Sequence, residues 1–318
     1  MTASRIDLRQ PDAPWPRTRN WTVSELYSLP SSGSRLRAGL VGRGIQQSRT
    51  PRMHEAEGER LGLRLDYGLL DFDRLGLDDA RLAEIVRAAA KHGFAGLNVT
   101  YPFKQSVIPI LDDLSPNAAA IGAVNTIAFR DGRAVGHNTD CWGFAESVRR
   151  GLPDVSFGSV LQLGAGGAGA AVGRALLELG TRHLSIFDSD RSKADSLATT
   201  LSAEFGEGRA VLADEAAAAV GHANGLVNAT PIGMAKHPGI PVPRGALHRD
   251  LWVADIVYFP AETELLRAAR ELGCRILPGA GMAVFQAVRA FELFTGLAAD
   301  PLEMARHVSP DSNQLPER

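Results

Sequence analysis

A glycine-rich turn between a strand and a helix is the feature that most constrains the fold of this chain. The apolar run Ser159-Val-Leu-Gln-Leu163 is typical of a buried strand, and it leads directly into Gly164-Ala-Gly-Gly-Ala-Gly169. Residues 170–179 then favour a helix, and Asp188, 24 positions after Gly164, ends the next predicted strand. Together these elements predict a Rossmann-type dinucleotide-binding domain with a doubly wound parallel sheet.

The three spaced glycines each have a physical task in such a loop. Gly164 makes the tight turn, Gly166 lets the backbone approach a pyrophosphate, and Gly169 lets the helix pack close to the strand. The helix N-terminus attracts the negative charge. We therefore expect a cofactor to contact Gly164, Ala165, Gly166, Gly167, Ala168 and Gly169. The alternative is a strand–helix turn that binds no ligand.

The residues after the second predicted strand bear on the choice of cofactor. Asp188 offers a carboxylate where the adenosine ribose should lie, and Asp190 follows it. A carboxylate accepts hydrogen bonds from a ribose diol but repels a 2′-phosphate. At ~4 Å and an effective dielectric of about 20, two unit charges repel by roughly 4 kcal/mol. NAD is therefore favoured as the cofactor, and the nearby Arg191 leaves NADP as the alternative.

Two further segments place an amine and a carboxylate on loops next to short extended segments. They are Asn98-Val-Thr-Tyr-Pro-Phe-Lys104 and Gly136-His-Asn-Thr-Asp140. Such a pair can relay a proton to a substrate hydroxyl, which is general acid–base chemistry. His137 is the alternative base, but it lies in a predicted strand. Lys104 and Asp140 are therefore the predicted catalytic pair.

The remainder of the chain alternates strands and helices, which predicts an α/β architecture of two domains. A helix is expected to start at Thr50-Pro51, with Thr50 as N-cap and proline at the first position. Another is expected to begin within residues 107–114, and a hairpin to turn at Asp131-Gly132. The apolar helix predicted over 282–296 is expected to return to the first domain.

These elements predict three segments. Residues 1–36 are rich in proline and small residues, so they predict an irregular extension. Residues 37–139 with 283–318 predict a substrate-binding and catalytic domain, and residues 140–282 predict the dinucleotide-binding domain. The sequence fixes no oligomeric state, so a monomer and a homodimer are both expected possibilities.

Charge and composition exclude several classes of function. With 34 basic and 36 acidic residues, the chain has no basic excess for a nucleic acid or a membrane surface. No apolar run approaches the ~20 residues of a membrane span. Cys141 and Cys274 match no metal spacing and predict thiols of a cytoplasmic protein, with one long-range disulfide as the alternative. The eight histidines match no metal-ligand spacing either, so no metal is expected.

Taken together, the motifs over residues 37–297 resemble the shikimate dehydrogenase family, most closely its quinate/shikimate dehydrogenases. The matching motifs are Gln47-Ser-Arg-Thr-Pro-Arg-Met-His54, Asn98–Lys104, Gly122-Ala-Val-Asn-Thr126, Gly136–Asp140, Gly164–Gly169, Asn228-Ala-Thr-Pro-Ile-Gly-Met234, Asp255-Ile-Val-Tyr258 and Gly281-Met-Ala-Val-Phe-Gln286.

The resemblance implies a role for each matching residue. Ser48 and Thr50 would bind the substrate carboxylate. Asn98, Asn125 and Asp140 would bind ring hydroxyls. The residues that would complete the substrate pocket are Thr100, Tyr258 and Gln286. Lys104 and Asp140 would be catalytic, and the cofactor would contact the glycine-rich loop together with Asp188, Thr230, Val257 and Gly281.

Two departures from the biosynthetic members of the family bear on function. Thr50 stands where they usually have a second serine, and Asp188-Ser189-Asp190 stands where they usually have Asn-Arg-Thr. Both departures imply an NAD-linked enzyme that oxidises quinate to 3-dehydroquinate, shikimate to 3-dehydroshikimate, or both, in quinate catabolism. The biosynthetic direction, with NADP, in the shikimate pathway to the aromatic amino acids stays open.

Three other functions are alternatives. An aminoshikimate-type dehydrogenase would share the same motifs. A methylenetetrahydrofolate dehydrogenase would need a pocket for a large pterin, whereas the polar set around Asn98 suits a small acid with several hydroxyls. A regulatory protein that binds the nucleotide without chemistry has no need of the Lys104 and Asp140 pair.

Overall fold

The computed structural model describes residues 18–28 and 35–308, which form two sheets flanked by helices. The strands are β1 (Arg19–Asn20), β2 (Leu36–Gly42), β3 (Leu65–Asp71), β4 (Phe94–Val99), β5 (Asp113–Leu114), β6 (Thr126–Arg130), β7 (Arg133–His137), β8 (Ser159–Leu163), β9 (His183–Phe187), β10 (Ala210–Leu212), β11 (Gly225–Asn228), β12 (Trp252–Asp255) and β13 (Arg275–Leu277). The expectations for residues 1–17, 29–34 and 309–318 lie outside the described residues.

The helices connect these strands and cover both sheets. They are α1 (Val23–Ser28), α2 (Thr50–Arg60), α3 (Phe72–Leu75), α4 (Leu82–Lys91), α5 (Phe103–Ser106), α6 (Pro116–Ile121), α7 (Thr139–Gly151), α8 (Gly167–Glu178), α9 (Arg191–Phe205), α10 (Ala216–Val220), α11 (Glu264–Glu271), α12 (Ala280–Thr295) and α13 (Pro301–Ala305). Within residues 18–28 and 35–308, none of them has the length and hydropathy needed to cross a bilayer.

The first sheet has seven described strands in the order β1-β3-β2-β4-β6-β7-β5. The strands from β1 to β4 pair in parallel, whereas β4, β6 and β7 pair antiparallel. The β6–β7 hairpin turns at Asp131 and Gly132, whose φ angles of 52° and 74° are both left-handed. Two such residues form the turn that suits the twist of a tight hairpin, so the predicted hairpin is confirmed.

The second sheet has six described strands, all parallel, in the order β10-β9-β8-β11-β12-β13. This is the strand order of a dinucleotide-binding fold, with its reversal between β8 and β11. Ligands of such sheets bind in the crevice at the carboxyl ends of the strands beside the reversal. The predicted fold class, α/β with a doubly wound parallel sheet, is therefore confirmed.

Helices α7 and α12 join the two halves of the molecule. Glycines let these helices approach closely, because a Cβ at Gly143 would lie only 2.7 Å from the backbone nitrogen of Gln286. A Cβ at Gly281 would likewise lie 2.2 Å from the Ser147 hydroxyl. The apolar face of α12 packs Phe291 and Phe294 into the core of the first sheet, so the predicted return of this helix is confirmed.

Part of the N-terminal extension belongs to the first sheet, so the expectation of an irregular segment over residues 1–36 is wrong for residues 19–28. The amide of Trp21 donates to the Leu69 carbonyl at 3.0 Å, and β1 pairs with the edge of β3. The Trp21 ring is fully buried and lies 5.3 Å from the Phe94 ring. Pro11, Pro14 and Pro16 precede this segment and Pro30 follows it. Its buried apolar side chains, including Leu26, stabilise the edge.

The predicted N-cap role of Thr50 is also wrong. Helix α2 begins at Thr50 itself, Arg49 occupies the cap position, and no side chain caps the helix. The Ser48 hydroxyl accepts from the Thr50 amide at 3.3 Å, so Thr50 sits inside a small turn. The Thr50 hydroxyl is therefore not used as a helix cap.

The helix predicted to begin within residues 107–114 does not form. Residues 108–110 make a single 3-10 turn, and the chain then extends into β5. Pro109 explains the difference, because proline removes a backbone donor and disfavours a helical residue before it.

Candidate active site

Lys104 and Asp140 meet between the two sheets. The Lys104 Nζ lies 2.6 Å from Asp140 Oδ2, and the two side chains are 22% and 9% exposed. Lys104 lies on the one-turn helix α5, directly after β4, and Asp140 lies in the first turn of α7. This is a short, charge-assisted hydrogen bond that is mostly shielded from water. The structure therefore brings together the two residues predicted to be catalytic.

Asn138 fixes the position of Asp140. Its Oδ1 accepts from the amides of Asp140 at 3.1 Å and Cys141 at 3.3 Å, so it caps α7. Its Nδ2 donates to the Ala123 carbonyl at 3.0 Å, which ties the helix start to the first domain. The helix N-terminus also favours a carboxylate in its first turn. Asn138 was not among the predicted site residues, although an asparagine directly before a predicted helix start is a recognisable signal.

Two buried asparagines form a network beside this pair. Asn98 and Asn125 are 3% and 4% exposed. The Tyr67 hydroxyl donates to Asn98 Oδ1 at 2.7 Å, and Asn98 Nδ2 donates to Thr126 Oγ1 at 3.0 Å. The Thr139 amide donates to Asn125 Oδ1 at 2.8 Å. Thr126 and Thr139 lie inside the matching motifs, but nothing in the sequence near Tyr67 indicated that it would join the site.

Ser48 lies on the polar loop that leads into α2, and Thr50 is the first residue of that helix. Both residues are half-buried. The Ser48 hydroxyl donates to Thr50 Oγ1 at 3.2 Å, so the two hydroxyls lie side by side. Asp71 anchors the loop by accepting from the Gly44 amide at 3.1 Å and from Gln46 Nε2 at 2.7 Å. Two adjacent hydroxyls on an anchored loop suit a carboxylate ligand.

The three remaining predicted pocket residues come from three different elements. Thr100 is half-buried after β4, and its Cγ2 lies so close to Gly42 that a Cβ there would be 2.4 Å away. Tyr258 follows β12 and is 39% exposed. Gln286 lies on α12 and its Nε2 donates to the Ala283 carbonyl at 2.9 Å. Their roles toward a substrate stay predictions.

The glycine-rich loop has the geometry that the spacing predicted. Gly164 has φ 99°, which only glycine adopts readily. A Cβ at Gly169 would lie 2.3 Å from the Gly164 carbonyl oxygen, so only glycine allows α8 to pack there. A Cβ at Gly166 would meet nothing within 4 Å, and no side chain caps α8. The open backbone and the uncapped helix N-terminus fit a dinucleotide pyrophosphate.

The glycine-rich loop and the predicted catalytic pair lie next to each other. A Cβ at Gly167 would lie 3.8 Å from Lys104 Cδ, which is ordinary van der Waals contact. The glycine-rich loop that follows β8 of the second sheet therefore reaches Lys104, which follows β4 of the first sheet. Two sets of residues predicted separately from the sequence are adjacent in the structure.

The segment that follows β9, beside the glycine-rich loop, is acidic. Asp188 Oδ2 accepts from the Ala165 amide at 2.7 Å, and its Oδ1 accepts from the Asp190 amide at 2.8 Å. Asp190 caps α9, and the Ser192 side-chain hydrogen bond lowers the pKa of its carboxyl. Arg191 points elsewhere, because its Nη1 lies 2.7 Å from Asp214 Oδ1.

Asp255 organises the loops that follow β11 and β12. Its Oδ1 accepts from Asn228 Nδ2 and from the Val257 amide, each at 3.0 Å, and its Oδ2 accepts from the Thr263 hydroxyl at 2.7 Å. Thr230 donates to Asn228 Oδ1 at 2.6 Å. Burial raises the pKa of Asp255 to about 6. Thr230 and Val257, both predicted cofactor contacts, are thus held by one carboxylate that was not predicted as a site residue.

His54 lies behind the asparagine network and is fully buried. Its ring stacks on Tyr67 with centroids 4.7 Å apart, and neither ring nitrogen has a hydrogen-bond partner among the described residues. Burial lowers the pKa of His54 from 6.5 to about 3. The folded protein therefore keeps this ring neutral at pH values where the unfolded chain protonates it.

We expect His54 to make the protein less stable in mild acid. Its contribution is complete above pH 6.5 and is lost as the pH falls toward 3, by ~2 kcal/mol at pH 5. Asp255 acts in the opposite direction, because its raised pKa stabilises the folded state below pH 6. Denaturant unfolding at pH 5 and pH 8 measures the free energy of unfolding of the wild type and of His54→Phe. The Asp255 contribution is common to both proteins, so it cancels in the difference between them. Equal pH dependence in the two proteins would refute a neutral buried His54.

Comparison with known proteins gives a consistent result over most of the chain. Residues 40–127 match the family described as the shikimate dehydrogenase substrate binding domain. The shikimate dehydrogenase (NADP(+)) of Streptomyces avermitilis is 55% identical over 273 residues, which cover 85% of this chain and 94% of that protein. The quinate/shikimate dehydrogenase (NAD(+)) of Corynebacterium efficiens is 46% identical over 266 residues, or 82% and 93% of the two chains.

Solved structures agree with the sequence matches. Quinate dehydrogenase from Corynebacterium glutamicum in complex with NAD superposes with a TM-score of 0.82 at 44% identity, covering 86% of this chain and 99% of that one. Shikimate 5-dehydrogenase from Thermus thermophilus in complex with NADP(H) and shikimate superposes with a TM-score of 0.76 at 34% identity, covering 86% and 98%.

Proposed function

This chain belongs to the shikimate dehydrogenase family, and on that premise we propose that it transfers a hydride between NAD and a ring hydroxyl of shikimate, of quinate or of both. It is an oxidoreductase with a nicotinamide dinucleotide cofactor. The observation that carries the proposal is the meeting of Lys104 with Asp140 at 2.6 Å, beside Gly167 of the dinucleotide loop. One location thus offers a proton relay and a place for the cofactor.

We propose that the chain divides into a substrate-binding domain and a dinucleotide-binding domain. Residues 37–139 with the C-terminal segment from 283 form the substrate-binding domain, and residues 140–282 form the dinucleotide-binding domain. Strand β1 and helix α1 add to the substrate domain, because they pack on its sheet.

The chemistry divides between the cofactor and the protein. A dinucleotide held by the loop Gly164–Gly169 would supply the acceptor for the hydride that leaves the substrate carbon. The Lys104 amine takes the proton that leaves the same substrate hydroxyl, so that an alcohol becomes a ketone. Asp140 holds the lysine nitrogen through Oδ2 and stabilises the ammonium that forms. Its carboxylate also accepts a hydrogen bond from a substrate hydroxyl.

The remaining polar residues bind and orient the acid. Asn98 and Asn125 are already held by hydrogen bonds, so they lose little freedom when ring hydroxyls bind. Ser48 and Thr50 bind the carboxylate on the anchored loop before α2. A site built from many hydrogen-bonding groups rejects acids that lack the matching hydroxyls, because its own polar groups would then be left unpaired.

The choice of NAD over NADP rests on the charges after β9. Asp188 and Asp190 place two carboxylates where a 2′-phosphate would lie, and the charged partner of Arg191 is Asp214. The named relatives include both NADP-linked and NAD-linked enzymes, so family membership by itself does not decide the choice.

Initial rates for four pairings test the proposal: shikimate or quinate, each with NAD or NADP. We expect kcat/KM with NAD to exceed that with NADP by at least ~10-fold, which is about 1.4 kcal/mol of discrimination. Cyclohexanecarboxylate, which has no ring hydroxyl, is the control and should give no dinucleotide reduction. Activity with shikimate and NADP alone would overturn the proposed cofactor and return the chain to the biosynthetic type.

A further inference from the structure

We propose that Tyr67 is a positioning residue that sets the orientation of the Asn98 amide toward the substrate. This inference deepens the proposed function and rests on it. The Tyr67 side chain is fully buried on β3, and its hydroxyl donates to Asn98 Oδ1 at 2.7 Å across the first sheet. This hydrogen bond links Tyr67 to the proposed substrate pocket, so Tyr67 acts through Asn98 and is not proposed as a ligand itself.

The direction of each hydrogen bond in the network follows from one backbone donor. The Thr139 amide can only donate, so the Asn125 atom that it reaches at 2.8 Å must be the carbonyl oxygen Oδ1. The Thr126 hydroxyl then donates its one hydrogen to the same oxygen at 3.1 Å. Thr126 Oγ1 is left with lone pairs, so the Asn98 atom at 3.0 Å must be the donor Nδ2. Asn98 Oδ1 therefore faces Tyr67.

This arrangement leaves defined atoms of Asn98 for a ligand. One hydrogen of Nδ2 is used by Thr126, and the other has only a long contact of 3.4 Å with the Asn125 carbonyl oxygen. That second hydrogen can donate to a ring hydroxyl. Rotating the amide by half a turn would remove the acceptor that Tyr67 uses and would turn Oδ1 toward Thr126 Oγ1, whose one hydrogen is already donated to Asn125 Oδ1.

The surroundings of Tyr67 hold its hydroxyl in place as a donor. Its ring stacks on His54 with an interplanar angle of 27°, and His54 is backed by the rings of Phe291 and Phe294 at 5.9 Å and 5.7 Å. Burial raises the pKa of Tyr67 well above its usual value of 10, so the hydroxyl stays protonated. Helix α12 thus supports the substrate site from behind as well as through Gln286.

The test is the Tyr67→Phe variant, which keeps the stacked ring and removes only the hydroxyl. We expect KM for shikimate or quinate to rise and kcat/KM to fall about tenfold, while KM for the dinucleotide changes by less than about twofold. Tyr27→Phe is the matched control, because Tyr27 lies on α1 and its hydroxyl bonds to exposed Glu84. Thermal unfolding of both variants verifies that each is folded.

A double-mutant cycle with Asn98→Ala separates positioning from a general effect on the fold. If Tyr67 acts through Asn98, Tyr67→Phe should change kcat/KM by less than about twofold in the Asn98→Ala background. The inference is overturned if Tyr67→Phe changes KM for the acid no more than Tyr27→Phe does. It is also overturned if the losses in kcat/KM caused by Tyr67→Phe and by Asn98→Ala multiply in full in the double variant. A wild type that oxidises neither acid would instead remove the proposed function, and the inference with it.

Discussion

Replacing Lys104 with alanine should lower kcat by about 10²–10⁴-fold, with a smaller change in KM for the acid. The Lys104 Nζ lies 2.6 Å from Asp140 Oδ2, and Lys104 Cδ lies 3.8 Å from the position of a Cβ on Gly167, between the proposed substrate and cofactor sites. Loss of a proton acceptor at this point affects the chemical step, whereas the carboxylate and hydroxyl contacts that hold the acid remain. Steady-state rates with NAD and either acid measure the effect.

Lys104→Arg distinguishes a proton shuttle from a fixed positive charge. Arginine can keep the ion pair with Asp140, but its guanidinium does not give up a proton in proteins. If Lys104 shuttles the proton, the arginine variant should be about as slow as the alanine variant. If Lys104 only supplies charge, arginine should recover most of kcat.

Lys91→Ala is the matched control, since Lys91 is exposed at the end of α4. Its kcat should equal that of the wild type. Wild-type kcat in Lys104→Ala, with the Lys91 variant also unaffected, would remove Lys104 from the mechanism and leave Asp140 without its proposed partner.

Local chemistry explains which parts of this fold could be predicted from sequence. The backbone at position 164 has a left-handed φ, and at position 169 the helix packs too closely for a side chain. Both conditions require glycine, so each can be recognised as a glycine at a fixed spacing in the sequence. The Asp131-Gly132 hairpin is set by the same kind of requirement. Such features depend on neighbouring residues, so they can be recognised without knowing the tertiary structure.

Features that depend on contacts between distant segments could not be predicted in this way. Tyr67 joins the site because β3 lies two strands from β4, which carries Asn98. No residue near Tyr67 in the sequence indicates that the two strands belong to one sheet. Trp21 is buried only because Gly68 leaves room for its ring, where a Cβ would lie 2.5 Å from the indole nitrogen. The prolines and small residues of residues 1–36 predicted an irregular segment, so the pairing of β1 with β3 was not predicted.

The contact between Lys104 and the glycine-rich loop also depends on distant segments. The two motifs were predicted to serve the same reaction, but each strand–loop unit alone gives no distance between them. Their proximity depends on the packing of α7 against α12, where Gly143 and Gly281 remove the side chains that would separate the helices. The resemblance to a family supplied the residue roles, and the fold supplies the geometry that makes those roles compatible.

Gly166→Ala should weaken dinucleotide binding by about 100-fold while leaving the fold intact. Gly166 has φ −74° and ψ −170°, which alanine adopts without strain, and a Cβ there would meet nothing within 4 Å. The added methyl group would instead occupy the space where a pyrophosphate approaches the backbone. Loss of stability should stay within about 1 kcal/mol, the usual cost of alanine at a helix N-cap.

Gly169→Ala is the contrasting variant, because its Cβ would lie 2.3 Å from the Gly164 carbonyl oxygen. That clash is with backbone, so we expect this variant to lose cofactor binding and also ~1–3 kcal/mol of stability. Calorimetric titration with NAD and denaturant unfolding of both variants separate the two effects. If Gly166→Ala bound NAD as tightly as the wild type, the pyrophosphate could not lie against this backbone. The dinucleotide would then have to enter the crevice between β8 and β11 by another route, and the contact between Gly167 and Lys104 would no longer link cofactor and acid.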